Sequence, residues 1–280
     1  FSFCSSLIDI TFCKVEFQLS ILKKNKIELS NYERFVDEYS PDIIHTHLYF
    51  AELVCHENTR KNIKYISHFH SNTPAIKKKT FYKIFRKKSY SEIFEKKRLL
   101  RRYLTANKKY ISISNNTLTF LKQNLSVKDN NILKLENAFD FKRFYVENKA
   151  ASNKTIKLVT VGNLIPKKNQ IFLIEVVNYI KSKYNNVHLN ILGNGPEEKN
   201  IRSRIKLFKM ENHIKISWQI DHVEKELEKA DFYVHSAIYE PFGLVFLEAM
   251  AAKLPIITLD GKGNKDLIQH GINGFIFENQ

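Results

Sequence analysis

Glu240 and Glu248 flank a Pro241-Phe242-Gly243 turn in the segment AIYEPFGLVFLEAMAAKLPII (237–257), which is otherwise largely apolar. A strand-like run, DFYVHSAI (231–238), precedes the turn and a helical run, LVFLEAMAA (244–252), follows it. Glu240 therefore falls in a loop, and Glu248 lies one to two turns into a helix. The first-turn amides of that helix, from Phe242, Gly243 and Leu244, make an anion site, while carboxylates accept hydrogen bonds from hydroxyls. The pair suits one ligand that is both polyhydroxylated and phosphorylated. Taken alone, two such acids are more often a first-turn acid and a solvated helix residue. Upstream, VGNLIPKKNQ places Gly162, Asn163, Lys167 and Lys168 after a strand, and LNILGNGP places Gly193, Gly195 and Pro196 after another. The second is a broken dinucleotide fingerprint, since Glu198 stands where its third glycine would be. KYISHFH ends in His68 and His70, titratable groups at a strand end. No Asp-x-Asp pair occurs, so no metal clamp is expected.

The elements that must hold these residues read as alternating strand and helix. Short β-branched runs recur at 41–47, 64–69, 109–114, 156–162, 187–193, 214–218, 231–238, 255–259 and 274–277. Helical patterns lie between them at 169–184, 197–210, 223–230 and 244–252. This order predicts parallel sheets with helices on both faces and ligands at the carboxyl ends of strands. A polar, small-residue stretch near 147–155, just before the strong run IKLVTVG, predicts a domain boundary there, giving domains 1–150 and 151–280.

With the motifs in place, EPFGLVFLEAMAAKLPII resembles the Glu-x7-Glu signature of family 4 (group 1) glycosyltransferases, retaining sugar-nucleotide enzymes of the GT-B fold. The resemblance covers most of residues 40–280 and is strongest over 156–278. It implies an α/β GT-B architecture of two Rossmann-like domains whose parallel sheets face across a cleft: an acceptor-binding domain over 1–150 and a donor-binding domain over 151–280. By the same resemblance Glu240 contacts the donor sugar and Glu248 the nucleotide ribose, with Pro241, Phe242, Gly243 and Leu244 at the diphosphate. Gly162, Lys168 and Gly195 match the family's donor-binding loops, but Asn163 stands where the family usually has arginine. Gly261 and Gly263 match a loop near the sugar. His70, with His68 on the same strand, matches a histidine placed near the donor sugar. Lys253 stands where glycine is common, and a positive φ there would cost a lysine roughly 1 kcal/mol relative to glycine. The family's opening glycine-rich loop and final crossover helix have no match, so both ends are expected to be truncated. The implied activity is transfer of a hexosyl or hexosaminyl unit from a UDP- or GDP-linked donor to a glycan or lipid-linked acceptor, in surface polysaccharide or glycolipid synthesis. The nucleotide-sugar is a substrate and no cofactor is expected. A degenerate or truncated nucleotide-sugar-binding module without transferase activity is the alternative.

The totals agree with a globular chain. Its 280 residues are 43% hydrophobic and 26% charged, and no apolar run reaches the ~18–20 residues of a membrane span. Three cysteines, Cys4, Cys13 and Cys55, lack metal spacing and predict buried thiols in a cytoplasmic setting. There is no methionine before Met210, which predicts a fragment. Of the net charge of +16, +13 lies in residues 1–150, largely in a lysine- and arginine-rich tract at 77–109. Phe81, Tyr82, Phe85, Tyr90 and Phe94 lie among its cations at helical spacing, which suits a core-packed face or an anionic membrane surface better than a base-stacking platform for nucleic acid. A peripheral position at the inner face of the membrane is the expectation. A dinucleotide oxidoreductase is disfavoured by the broken glycine fingerprint.

Overall fold

The computed structural model describes residues 30–56, 58–72, 108–125, 129–149, 155–218 and 221–278. They form two compact units that divide between Leu135 and Glu136, with Ser114–Asn116 sorting with the second. Cys4, Cys13 and the basic tract up to residue 107 lie outside the described residues. Cys55 is an unpaired thiol that burial pushes up to about 11. Among the described residues no helix is long and apolar enough to cross a membrane.

The first unit carries a parallel sheet in the order β1 (Ile43–His47), β2 (Lys64–Phe69), β3 (Lys108–Ser112), β4 (Ile132–Lys134). Helix α1 (Ser30–Tyr39) brings Tyr32 and Val36, one turn apart, onto Ile44, Ile63 and Tyr65. The chain leaves β1 abruptly, because Leu48 takes φ 70° as α2 (Leu48–Cys55) begins. A branched residue in that region is an outlier and marks a tight turn directly after His47. Helix α3 (Asn115–Asn124) follows β3 and buries Thr117, Phe120 and Leu121. Strand β4 has no counterpart among the nine expected runs. Its three residues, ILK, are too short and too exposed to show a period in the sequence.

The second unit carries six parallel strands in the order β10-β9-β8-β5-β6-β7. These are β5 (Ile156–Val161), β6 (Val187–Leu192), β7 (Ile214–Ser217), β8 (Phe232–His235), β9 (Ile256–Leu259) and β10 (Gly274–Phe277). The helices are α4 (Phe141–Phe144), α5 (Gln170–Lys181), α6 (Glu198–Leu207), α7 (Val223–Lys229) and α8 (Leu244–Ala251). Alternation along the strands feeds two cores. Leu158 joins Leu173, Ile174 and Ile191 on one face, and Val159 joins Tyr233, Phe246 and Ile256 on the other. Each fully buried aliphatic of this kind contributes about 1.5–3 kcal/mol.

The units divide earlier than the composition change near 147–155. Phe139, Phe144 and Val146 pack into the second unit's core, and the Val146 amide donates to Ala251 O at 3.2 Å. Lys149 donates to the carbonyls of Ala252 and Leu227 at 3.1 and 3.3 Å. A polar composition marks the segment's solvent face and says nothing of these anchors.

Candidate active site

Strand order in the second unit runs one way from β5 to β6 and β7 and the other way from β8 to β9 and β10. The sheet therefore has a topological switch point between β5 and β8, the place where open parallel sheets bind ligands. The loop after β5 carries Gly162, exposed Asn163, Lys167 and Lys168; the loop after β8 carries Glu240 to Gly243. Backbone and side chain tie the two loops together, with Ile238 N donating to Lys167 O at 3.0 Å and Ser236 Oγ to Lys168 O at 2.9 Å. On the other side, the loop after β6 presses on the loop after β5. A Cβ on Gly193 would sit 2.1 Å from Gly162 O, and one on Gly195 2.4 Å from Leu164 O, so only glycine fits these approaches.

Glu240 is buried, and its carboxylate forms an ion pair with the Lys168 ammonium. His235 Nε2 lies 3.1 Å from the same carboxylate oxygen, and its Nδ1 lies 3.2 Å from the Tyr233 hydroxyl. The tautomer protonated at Nε2 donates to Glu240 and accepts from Tyr233. Burial pushes His235 down in pKa, against the pull of Glu240, and keeps it neutral at neutral pH. Burial would push Glu240 up, but the His235 hydrogen bond and the Lys168 charge outweigh it and hold the carboxyl at about 2. The backbone of Glu240 is fixed as well. Its N–H donates to Gly261 O at 2.7 Å and its carbonyl accepts from Gly263 N at 3.0 Å. Gly261 and Gly263 thus act on Glu240 itself.

Helix α8 starts at Gly243, whose φ of 91° favours glycine and whose Cβ, if present, would strike the Phe246 ring at 2.4 Å. Its N-cap residue, a glycine, has no side chain to cap this end. Its first-turn amides lie at the positive end of the helix dipole. Glu248 lies one turn beyond Leu244 on the same helix face, and its side chain leans back toward that end. Its carboxylate is half-buried with no hydrogen bond or ion pair among the described residues. Burial pushes its pKa up, against the opposing charge of Arg143.

His70 belongs to the first unit, just past β2, where His47 Nδ1 lies 2.8 Å from its Nε2. It shares that strand end with His45, His47 and His68. Burial and the neighbouring imidazoles push His68 down to about 4, and His70 is shifted in the same direction.

Residues 141–280, half of the chain, match the profile of the glycosyl transferases group 1 family, and residues 17–143 match that of Glycosyltransferase Family 4. The chain belongs to the group 1 glycosyltransferases. An uncharacterized glycosyltransferase of Haemophilus influenzae is 30% identical over 152 residues, covering 54% of this chain and 42% of the relative. A poly(ribitol-phosphate) alpha-N-acetylglucosaminyltransferase of Staphylococcus aureus is 30% identical over 148 residues, covering 52% of this chain and 30% of the relative. The chain thus spans less than half the length of these relatives. Among solved structures, Anabaena HepE in complex with UDP superposes with a TM-score of 0.72 at 18% identity, covering 89% of this chain and 68% of that one. WaaG, a glycosyltransferase involved in lipopolysaccharide biosynthesis, gives 0.71 at 15%, covering 95% and 72%. The fold is GT-B, an α/β architecture with two parallel sheets.

Within this group 1 glycosyltransferase the structure gathers Gly162, Lys168 and Glu240 at the switch point and sets Lys168, the lysine matched to the donor-binding loop, apart from its neighbour Lys167. Lys167 Nζ lies 5.9 Å from the Tyr239 ring centroid, whereas Lys168 reaches Glu240 along the face of Gly162, where a Cβ would be 3.7 Å from Lys168 Cε. Phe242 is 2% exposed, so it offers a ligand its backbone rather than its ring. His235 was missed. It reads as one polar residue in a buried strand, and its position at the carboxyl end of a central strand was the available signal.

Proposed function

We propose that the chain carries the donor chemistry of a retaining glycosyltransferase: a hexosyl or hexosaminyl unit leaves a UDP- or GDP-linked donor for a glycan or lipid-linked acceptor in surface polysaccharide or glycolipid synthesis, at the cytoplasmic face of a membrane. The observation that carries this reading is the Lys168–Glu240–His235 constellation at the switch point, beside the glycine-started N-terminus of α8. When the donor binds, the Lys168 ammonium turns from Glu240 to the diphosphate and shares its charge with the α8 amides. Glu240, released but still held by His235, accepts from the sugar hydroxyls, and Glu248 accepts from the ribose. As the bond between the sugar and the diphosphate breaks, its electron pair stays on an oxygen that lysine and helix dipole already face. His70 is the residue proposed to support the sugar from the acceptor side. Further support comes from a neighbour solved with UDP and from relatives named for transfer to poly(glycerol-phosphate) and poly(ribitol-phosphate).

The test is a donor panel of UDP- and GDP-sugars with Glu240→Gln and Glu248→Gln in a chain extended to the length of its relatives. Each lost charge-assisted bond should cost ~1.5–3 kcal/mol, or about one to two decades. Glu248→Gln is expected to weaken nucleotide binding, and Glu240→Gln to depress turnover more than binding of the bare nucleotide. Wild-type behaviour in both would overturn the assignment. A second reading, a binding module without transfer, is favoured by the exposed Asn163 in place of the usual cation. Donor binding with no turnover in the extended wild type would select it.

A further inference from the structure

Beside His70 the first unit holds three further imidazoles that the donor chemistry does not use. Alternation puts His45 and His47 on one face of β1, and the parallel register sets His47 directly beside His68 of β2. Ring centroids are 4.3 Å apart for His45–His47, 4.8 Å for His47–His68 and 5.4 Å for His45–His68. One nitrogen from each of the three lies within 4.8 Å of the other two. A second observation is independent of this proximity: His68 is only 8% exposed, yet neither of its ring nitrogens has a hydrogen-bond partner among the described residues. A buried polar group left so is costly unless something coordinates it.

We propose that His45, His47 and His68 form a three-imidazole site for a first-row transition-metal dication of the zinc class, with its fourth position open to water or an anion. An all-nitrogen donor set selects zinc, cobalt, nickel or copper over magnesium and calcium, which take oxygen ligands. Small side-chain rotations bring the three nitrogens to the ~2.0–2.1 Å of zinc–imidazole bonds. His45 and His47 are exposed, which leaves the ion a way in and a coordination position free. The contact between His47 Nδ1 and His70 Nε2, at 2.8 Å, leaves His47 Nε2 for the metal and orients the ring from outside the coordination sphere. The place also fits, since ligands of parallel sheets bind beyond the carboxyl ends of strands.

This inference shares only His70 with the donor reading, and its test needs no activity. Untagged full chain is titrated with Co²⁺, which should give the intense visible bands of tetrahedral cobalt at one equivalent. Zn²⁺ should displace the bands, Mg²⁺ should not, and added azide should shift them by taking the open position. His45→Ala and His47→Ala, at exposed positions, should each weaken binding about tenfold or more, while His188→Ala/His213→Ala, a stacked pair elsewhere, should leave it unchanged. Circular dichroism checks that each variant is folded. Absence of the bands, or binding as tight in His45→Ala/His47→Ala as in the wild type, overturns the site. Bands unmoved by azide overturn the open position.

Discussion

A buried carboxylate that already holds a lysine and a histidine is a store of pH dependence. Glu240 has its pKa depressed from an ordinary 4.5 to about 2, so the folded state binds fewer protons than the unfolded chain in that range. Its contribution to stability is present above 4.5 and is lost as the pH falls through about 2. His235, depressed by burial, acts in the same direction from below 6.5. We expect thermal unfolding midpoints to fall more steeply between pH 4.5 and 2 in the wild type than in Glu240→Gln; parallel profiles would show that Glu240 titrates normally in the fold. The candidacy of Glu240 and Lys168 was legible in the sequence, because the Glu-x7-Glu spacing and the Gly162-to-Lys168 loop survive as linear patterns. Their ion pair was not, since it depends on β5 and β8 being neighbours although the two residues lie 72 apart in the chain. The histidine cluster was illegible for the same reason: it exists only once the register between β1 and β2 is set.

The elements themselves were read well where their apolar runs are long. All nine expected strands occur, and the exposed three-residue β4 escaped. The condition attached to Lys253, a positive φ, holds with a value of 55°. The lysine compensates by donating to Glu147 O at 2.6 Å and lying over the Tyr145 ring at 5.4 Å. Comparing two variants that both lose those contacts isolates the backbone term. Lys253→Gly is expected to be more stable than Lys253→Ala by about 1 kcal/mol in urea unfolding, because only alanine keeps the Cβ that crowds a left-handed backbone. Equal stabilities would mean that the α8 terminus relaxes to another conformation.

At the scale of the whole chain the asymmetry of charge, +13 of +16 in residues 1–150, concerns association rather than fold. Under the proposed membrane role, each cation near an acidic leaflet contributes roughly 1 kcal/mol and is weakened by salt. The protein should sediment with anionic but not neutral liposomes at low salt, and a Lys77/Lys78/Lys79/Arg86/Lys87/Lys88→Gln variant should stay in the supernatant. Equal sedimentation with both lipids, or with neither, would point to a soluble acceptor. The strand order of the second unit has one more effect, on the order in which the unit assembles. β5 pairs with β6 along its full length, from Ile156↔Val187 to Val161↔Leu192, but with β8 only at Leu158↔Phe232 and Val159↔Tyr233. The β5–β8 seam closes the longer loop for the smaller return, so it should form after β5–β6–β7 and open before it. Lys168 and Glu240 face each other across that seam, and amide exchange should reach β8 through a smaller opening than β6. The residues proposed to hold the substrate would then be the last to meet when the chain folds.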